Sequence, residues 1–133
     1  MRALICHSAK DLRIENTELP AMGPDQVRVK VAFGGICGSD LHAKDHADDL
    51  TDVLATLGYP DFMRRDTATV MGHEFSGVIT QRGPKTPAKL KEGMTVVSFP
   101  LVRTHGAVQL TGLSPLAPGG YAERVLVEAS LTF

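Results

Sequence analysis

Glycine and proline punctuate this chain along its whole length. The 133 residues include 13 glycines and 8 prolines, with β-branched runs between them. Such spacing argues for many short strands joined by tight turns. Arg2 to His7 and Leu12 to Thr17 read as a first strand pair, joined by a polar turn at Ser8 to Asp11. Gln26 to Val31 alternates polar and apolar residues, the period of a half-buried strand. Phe75 to Thr80, Thr95 to Phe99 and Tyr121 to Val127 are further candidates, the last opened by Gly119-Gly120. The expected apolar core is Leu4, Ile14, Val27, Val29, Val31, Phe75, Val78, Val96, Val97, Val125 and Val127.

One segment departs from the strand pattern. Leu50, Val53, Leu54 and Leu57 fall at i, i+3, i+4 and i+7, which predicts a short helix with one apolar face. Asp49 can cap its first amides and Gly58 can end it. The helix either packs on the strands as an ordinary element or walls a cleft. Leu101 to Pro118, rich in Gly, Pro, Thr and Leu, reads as an irregular loop.

Charge and size exclude several classes. Lys and Arg number 14 against 15 Asp and Glu, a net charge of -1, so neither nucleic acid nor an anionic membrane is indicated. Aromatic residues make up 5% and Trp is absent, which offers little for stacking bases. No apolar run approaches the roughly 20 residues that span a bilayer. No signal-peptide core follows Met1, and the expected location is cytoplasmic. Two cysteines, Cys6 and Cys37, fit a reducing compartment and are too few for a four-cysteine structural zinc site.

Two glycine-flanked turns carry residues suited to metal chemistry. One is Gly34-Gly35-Ile36-Cys37-Gly38-Ser39-Asp40-Leu41-His42; the other is Met71-Gly72-His73-Glu74-Phe75. A thiolate and an imidazole are two of the three protein ligands that a catalytic zinc needs, the fourth position staying open. Taken singly, each has a plainer reading. A lone buried cysteine is more often a small hydrophobe. His73 can be an ordinary histidine and Glu74 a solvated carboxylate. Asp40 either caps a turn or hydrogen-bonds the far nitrogen of a ligating imidazole. Ser39 is a turn hydroxyl or a proton relay, and His42 a surface histidine or the relay's next member. His7, His46 and His105 have no such context.

Together these stretches resemble a known pattern. Gly35 to His42, Gly72 to Ile79 and Gly119 to Glu123 are similar to motifs of the zinc-dependent alcohol dehydrogenases, in the medium-chain dehydrogenase/reductase superfamily. The resemblance is to their N-terminal, GroES-like catalytic domain and covers nearly the whole chain. It implies a mainly β fold, a partly open GroES-like barrel with one or two short helices. It also implies that Cys37 and His73 bind one catalytic zinc and that Asp40 holds His73. Ser39 would contact the alcohol oxygen, His42 would relay its proton to solvent, and Glu74 would approach the metal during water exchange. The expected reaction is oxidation of a small-molecule alcohol to an aldehyde or ketone, with hydride transfer to NAD or NADP.

Three departures shape the expectations. No GxGxxG follows a strand, so the Rossmann cofactor domain and the family's usual third ligand are expected beyond Phe133. On that reading residues 1 to 133 are a fragment, inactive and monomeric alone, of an enzyme that is a homo-oligomer when intact. Leu101 to Pro118 lacks cysteine, so no structural zinc is expected. The stretch between Cys37 and His73 is longer than usual, and the helix within it is expected to influence substrate size. The competing readings are a GroES-like binding module, a zinc-free relative of the quinone-reductase type, and a remnant domain whose metal site is unused.

Overall fold

The alternating Gln26–Val31 stretch becomes the centre of the principal sheet in the computed structural model, which describes all of Met1–Phe133. Strand β3 (Gln26–Gly35) pairs antiparallel with β5 (Glu74–Arg82) on one side and β9 (Arg124–Glu128) on the other. Strand β6 (Thr95–Val97) adds beyond β5, giving the order β6-β5-β3-β9. Val27, Val29, Phe75, Ile79, Leu90, Val96, Val125, Val127 and Ala129 form its buried core. Alternation explains the choice, because successive side chains of a strand point to opposite faces. Val96 is therefore 3% exposed while its neighbour Val97 is 53% exposed.

A second sheet has the order β2-β1-β4, from β1 (Arg2–Ser8), β2 (Asp11–Asn16) and β4 (Thr69–Val70). Ala3 and Ile5 of β1 are buried with Val70. That register turns Leu4 to the other face, where it is half-buried. Ile14 was expected in the core but is 76% exposed, because β2 is an edge strand whose outward face carries no cover. Val31 and Val78 are half-buried rather than central. The segment after Gly119 joins the two sheets. Leu4 donates its N–H to the Tyr121 carbonyl at 2.7 Å, and Val31 donates to the Glu123 carbonyl at 3.1 Å. The result is a mainly β architecture of open sheets with two short helices.

Two local expectations are corrected. Leu101 to Pro118 is not wholly irregular: β7 (Leu101–Thr104) and β8 (Ala107–Leu110) form a hairpin. His105 and Gly106 make its two-residue turn with φ of 52° and 76°, the positive values that match strand twist. The helix expected at Leu50–Leu57 starts earlier, as α2 (Ala47–Thr56), and Asp49 lies inside its first turn rather than at its cap. Its packed stripe is also rotated, to Ala47, Leu50, Thr51 and Leu54, leaving Val53 and Leu57 exposed. Small residues let the helix approach closely. Thr51 is tolerated there because its hydroxyl lies 2.8 Å from the Ala47 carbonyl and 2.9 Å from that of Met63, with one proton shared between them. Gly58, with φ of 94°, follows its C-terminal end as expected.

The α2 stripe packs on Cys6, Ala43, Phe62, Met63 and Met71, a second core that runs up to the Gly72 turn. Met71 leads directly to Gly72, whose φ is 97°. The neighbouring chain crosses here at very close range. Gly119 N–H donates to the Val70 carbonyl at 2.9 Å, Gly120 N–H to that of Gly72 at 2.7 Å, and Tyr121 N–H to that of Met71 at 3.0 Å. A Cβ on Gly72 would lie 2.6 Å from the Tyr121 nitrogen, and one on Gly119 would lie 2.3 Å from the Gly72 carbonyl oxygen. Only glycine permits this crossing, and the crossing aims the residue after Gly72. Gly72→Ala should cost about 2–5 kcal/mol, from left-handed backbone strain plus overpacking. Urea denaturation would measure it; a loss under 1 kcal/mol would contradict this account of the turn.

Candidate metal centre

Cys37 leaves the end of β3 and becomes the N-cap of a helix that sequence reasoning did not foresee, α1 (Gly38–Asp45). The signal was present in Asp40, which sits at the third helical position. Its side chain reaches back to accept the Cys37 backbone N–H at 3.0 Å, satisfying a helix-end donor that has no partner within the helix. This places the Cys37 side chain at the mouth of the turn while Asp40 points inward, only 3% exposed.

His73 approaches from the Gly72 turn at the start of β5. Its Nδ1 lies 3.0 Å from Asp40 Oδ1, and its Nε2 lies 3.1 Å from Ser39 Oγ. A carboxylate only accepts, so Nδ1 carries a proton, and in the neutral ring Nε2 keeps its lone pair. Ser39 Oγ also stands 3.0 Å from Cys37 Sγ. Glu74 joins the same cluster. One donor atom each from Cys37, His73 and Glu74 lies within 4.8 Å of the others. Around a zinc with bonds of 2.0–2.3 Å, tetrahedral ligand atoms stand about 3.3–3.8 Å apart. A thiol, an imidazole nitrogen and a carboxylate at this spacing fit such an ion after a modest contraction.

Of the residues singled out in sequence, Cys37, Ser39, Asp40, His73 and Glu74 converge. His42 does not join them by any hydrogen bond. It is exposed on α1, three residues beyond Ser39, with its ring 4.8 Å from that of His46. Tyr121 went unnoticed as a contributor. Its hydroxyl lies 2.7 Å from Asp40 Oδ2 and 2.9 Å from the Gly35 carbonyl, and its one proton serves both acceptors. Burial, followed by the hydrogen bond to Asp40 and that residue's charge, pushes the Tyr121 phenol well above its ordinary pKa. The only sequence signal was an aromatic residue after two glycines, which by itself specifies no contact. Beside the cluster a cleft of about 480 Å³ opens between β1, β2 and α1, and Asp40, Met71 and Tyr121 form part of its wall.

A family model described as the alcohol dehydrogenase GroES-like domain matches residues 23–133. The chain belongs to this family. Among curated relatives, (R,R)-butanediol dehydrogenase of Bacillus subtilis is 38% identical over 142 aligned positions, covering 100% of this chain and 40% of that protein. Sorbitol dehydrogenase of Rattus norvegicus is 36% identical over 98, covering 74% of this chain and 24% of the relative. The crystal structure of 2R,3R-butanediol dehydrogenase from Bacillus subtilis superimposes with a TM-score of 0.73 at 33% identity, over 99% of this chain and 39% of that one. This GroES-like domain therefore spans well under half the length of these relatives. They are oxidoreductases that act on alcohols, and the family identification and the fold agree.

The raised Tyr121 pKa has a consequence for stability. Above pH 10 the unfolded phenol loses its proton while the folded one keeps it. The folded state then binds more protons, so stability falls as pH rises. Urea unfolding of the parent and Tyr121→Phe from pH 9 to 11.5 should show the parent's advantage shrinking above pH 10. A constant difference would contradict the assignment.

Proposed function

We propose that this chain is the metal-binding catalytic domain of a zinc- and NAD(P)-dependent alcohol or polyol dehydrogenase. The observation that carries the reading is the meeting of Cys37, His73 and Glu74 within 4.8 Å, backed by the contact of buried Asp40 with His73. Cys37 Sγ, His73 Nε2 and a Glu74 carboxylate oxygen would hold the ion. Glu74 thus fills the place of the third protein ligand that sequence reasoning sought beyond residue 133. When bound, zinc would act as a Lewis acid that makes an alcohol hydroxyl easier to ionise.

The remaining roles belong to the chain's own groups. Asp40 fixes the His73 ring, so that Nε2 faces Cys37 and Ser39 without a proton of its own. Ser39 presents a hydroxyl in the middle of the donor set, where it can accept a proton from a substrate hydroxyl while passing its own outward. His42, three residues further along α1 and open to solvent, is the next acceptor. No direct hydrogen bond joins Ser39 to His42, so this transfer would need a bridging water. The substrate is a small alcohol. The names of the butanediol and sorbitol relatives favour one bearing more than one hydroxyl. A nicotinamide cofactor, when bound, would supply the hydride acceptor.

Zinc analysis tests the reading directly. The purified chain should hold about one zinc per molecule. Cys37→Ser with His73→Ala should hold none, and Glu74→Gln should bind at least about tenfold more weakly. Equal zinc in the parent and the double variant would sink the proposal.

A further inference from the structure

Tyr121 sits behind the site, and its hydroxyl bonds Asp40 and the Gly35 carbonyl rather than any of the proposed ligands. We propose that it is a positioning residue: its hydroxyl fixes the Asp40 carboxylate, and through Asp40 selects Nε2 of His73 as the nitrogen offered to a metal. This deepens the metal-centre reading above and rests on it.

Asp40 Oδ1 faces His73 Nδ1 at 3.0 Å. Asp40 Oδ2 accepts two donors, the Cys37 N–H at 3.0 Å and the Tyr121 hydroxyl at 2.7 Å. The terminal torsion of an aspartate is broad and roughly two-fold, so nothing intrinsic holds the plane of the group. Two donors converging on Oδ2 from different segments do hold it, and they leave Oδ1 free for the imidazole. With Tyr121 removed, Oδ2 keeps one partner. Asp40 is 3% exposed, so its carboxylate depends mainly on protein donors.

Tyr121 is itself rigidly placed. Its N–H donates to the Met71 carbonyl at 3.0 Å and its carbonyl accepts from Leu4 at 2.7 Å. Its ring fills the space that a Cβ on Gly72 would occupy, 2.6 Å away, and also lies against Gly34. The turn that aims His73 therefore also aims the Tyr121 ring. Because burial holds the phenol in its protonated form, the group stays a donor to the carboxylate.

Tyr121→Phe removes one oxygen and keeps the ring, so it separates positioning from packing. Two measurements on the 133-residue chain decide the matter. The first is the tautomer of His73 in the metal-free protein, read from imidazole nitrogen shifts. The parent should hold the proton on Nδ1, and the variant should shift measurably toward Nε2. The second is zinc affinity by competition with a chromogenic chelator. It should fall about tenfold in the variant, the lower end of the loss seen when a ligand's hydrogen-bond partner is disturbed. An unchanged tautomer overturns the proposal, whatever zinc does. A shifted tautomer with unchanged zinc affinity also overturns it. If neither protein binds zinc, the metal-centre reading fails, and the tautomer comparison still decides the link from Tyr121 to His73. If Tyr121→Phe does not fold, proton exchange in the parent replaces it. The Tyr121 hydroxyl proton should exchange with water far more slowly than that of Tyr59, and equal rates overturn the proposal.

Discussion

A single buried carboxylate ties together three parts of the chain that are remote in sequence. Asp40 takes a backbone amide from the Cys37 turn, an imidazole nitrogen from the Gly72 turn and a phenol from the Gly119 crossing. At 3% exposure, an unpartnered carboxylate would be costly. Meeting its needs with groups from three segments makes the arrangement of those segments interdependent. The N-terminal end of α1, the start of β5 and the 119–123 segment joining the two sheets share one anchor.

Close backbone contact supplies the rest of the rigidity. The crossing of Gly119 and Gly120 over Gly72 replaces side-chain packing with direct hydrogen bonds between main chains. Beneath it, Met71 belongs to the second core, together with α2, Phe62 and Met63. Helix α2 is thus joined to the site through Met71, not merely appended to it. Further ties hold the segment after α2 in place: Gln109 donates to Asp61 at 2.7 Å, and Met63 N–H donates to the Leu113 carbonyl at 2.8 Å.

Much of the strand framework was legible because alternation is a local property. Gln26–Val31, Phe75–Thr80 and the strand before Val127 could be read from their own residues, since the strand period fixes which side chains share a face. The failures lie where a neighbour decides. Ile14 looks like a core residue, yet nothing covers the outer face of β2. Val53 and Leu57 are as apolar as Leu50 and Leu54, but close approach favoured the stripe through Ala47 and Thr51. The 101–110 hairpin escaped notice because its turn uses His105-Gly106 in place of the usual asparagine or aspartate before glycine.

The same division holds for the chemistry. The sequence alone determined the inventory: a thiol, an imidazole and a carboxylate set in glycine turns, with Asp40 and Ser39 spaced to sit one helical turn or less from Cys37. It also determined the family, because three ordered motifs are more specific than any one residue. Tertiary structure alone decided which groups meet. It brought Glu74 into the donor cluster, left His42 outside it, and turned Tyr121 from an aromatic residue in a motif into a hydrogen-bond partner of Asp40. The reason is physical. Residue type and local spacing fix what a side chain can donate or accept, but its partner across 81 residues of chain is chosen only when sheets pack and backbones cross.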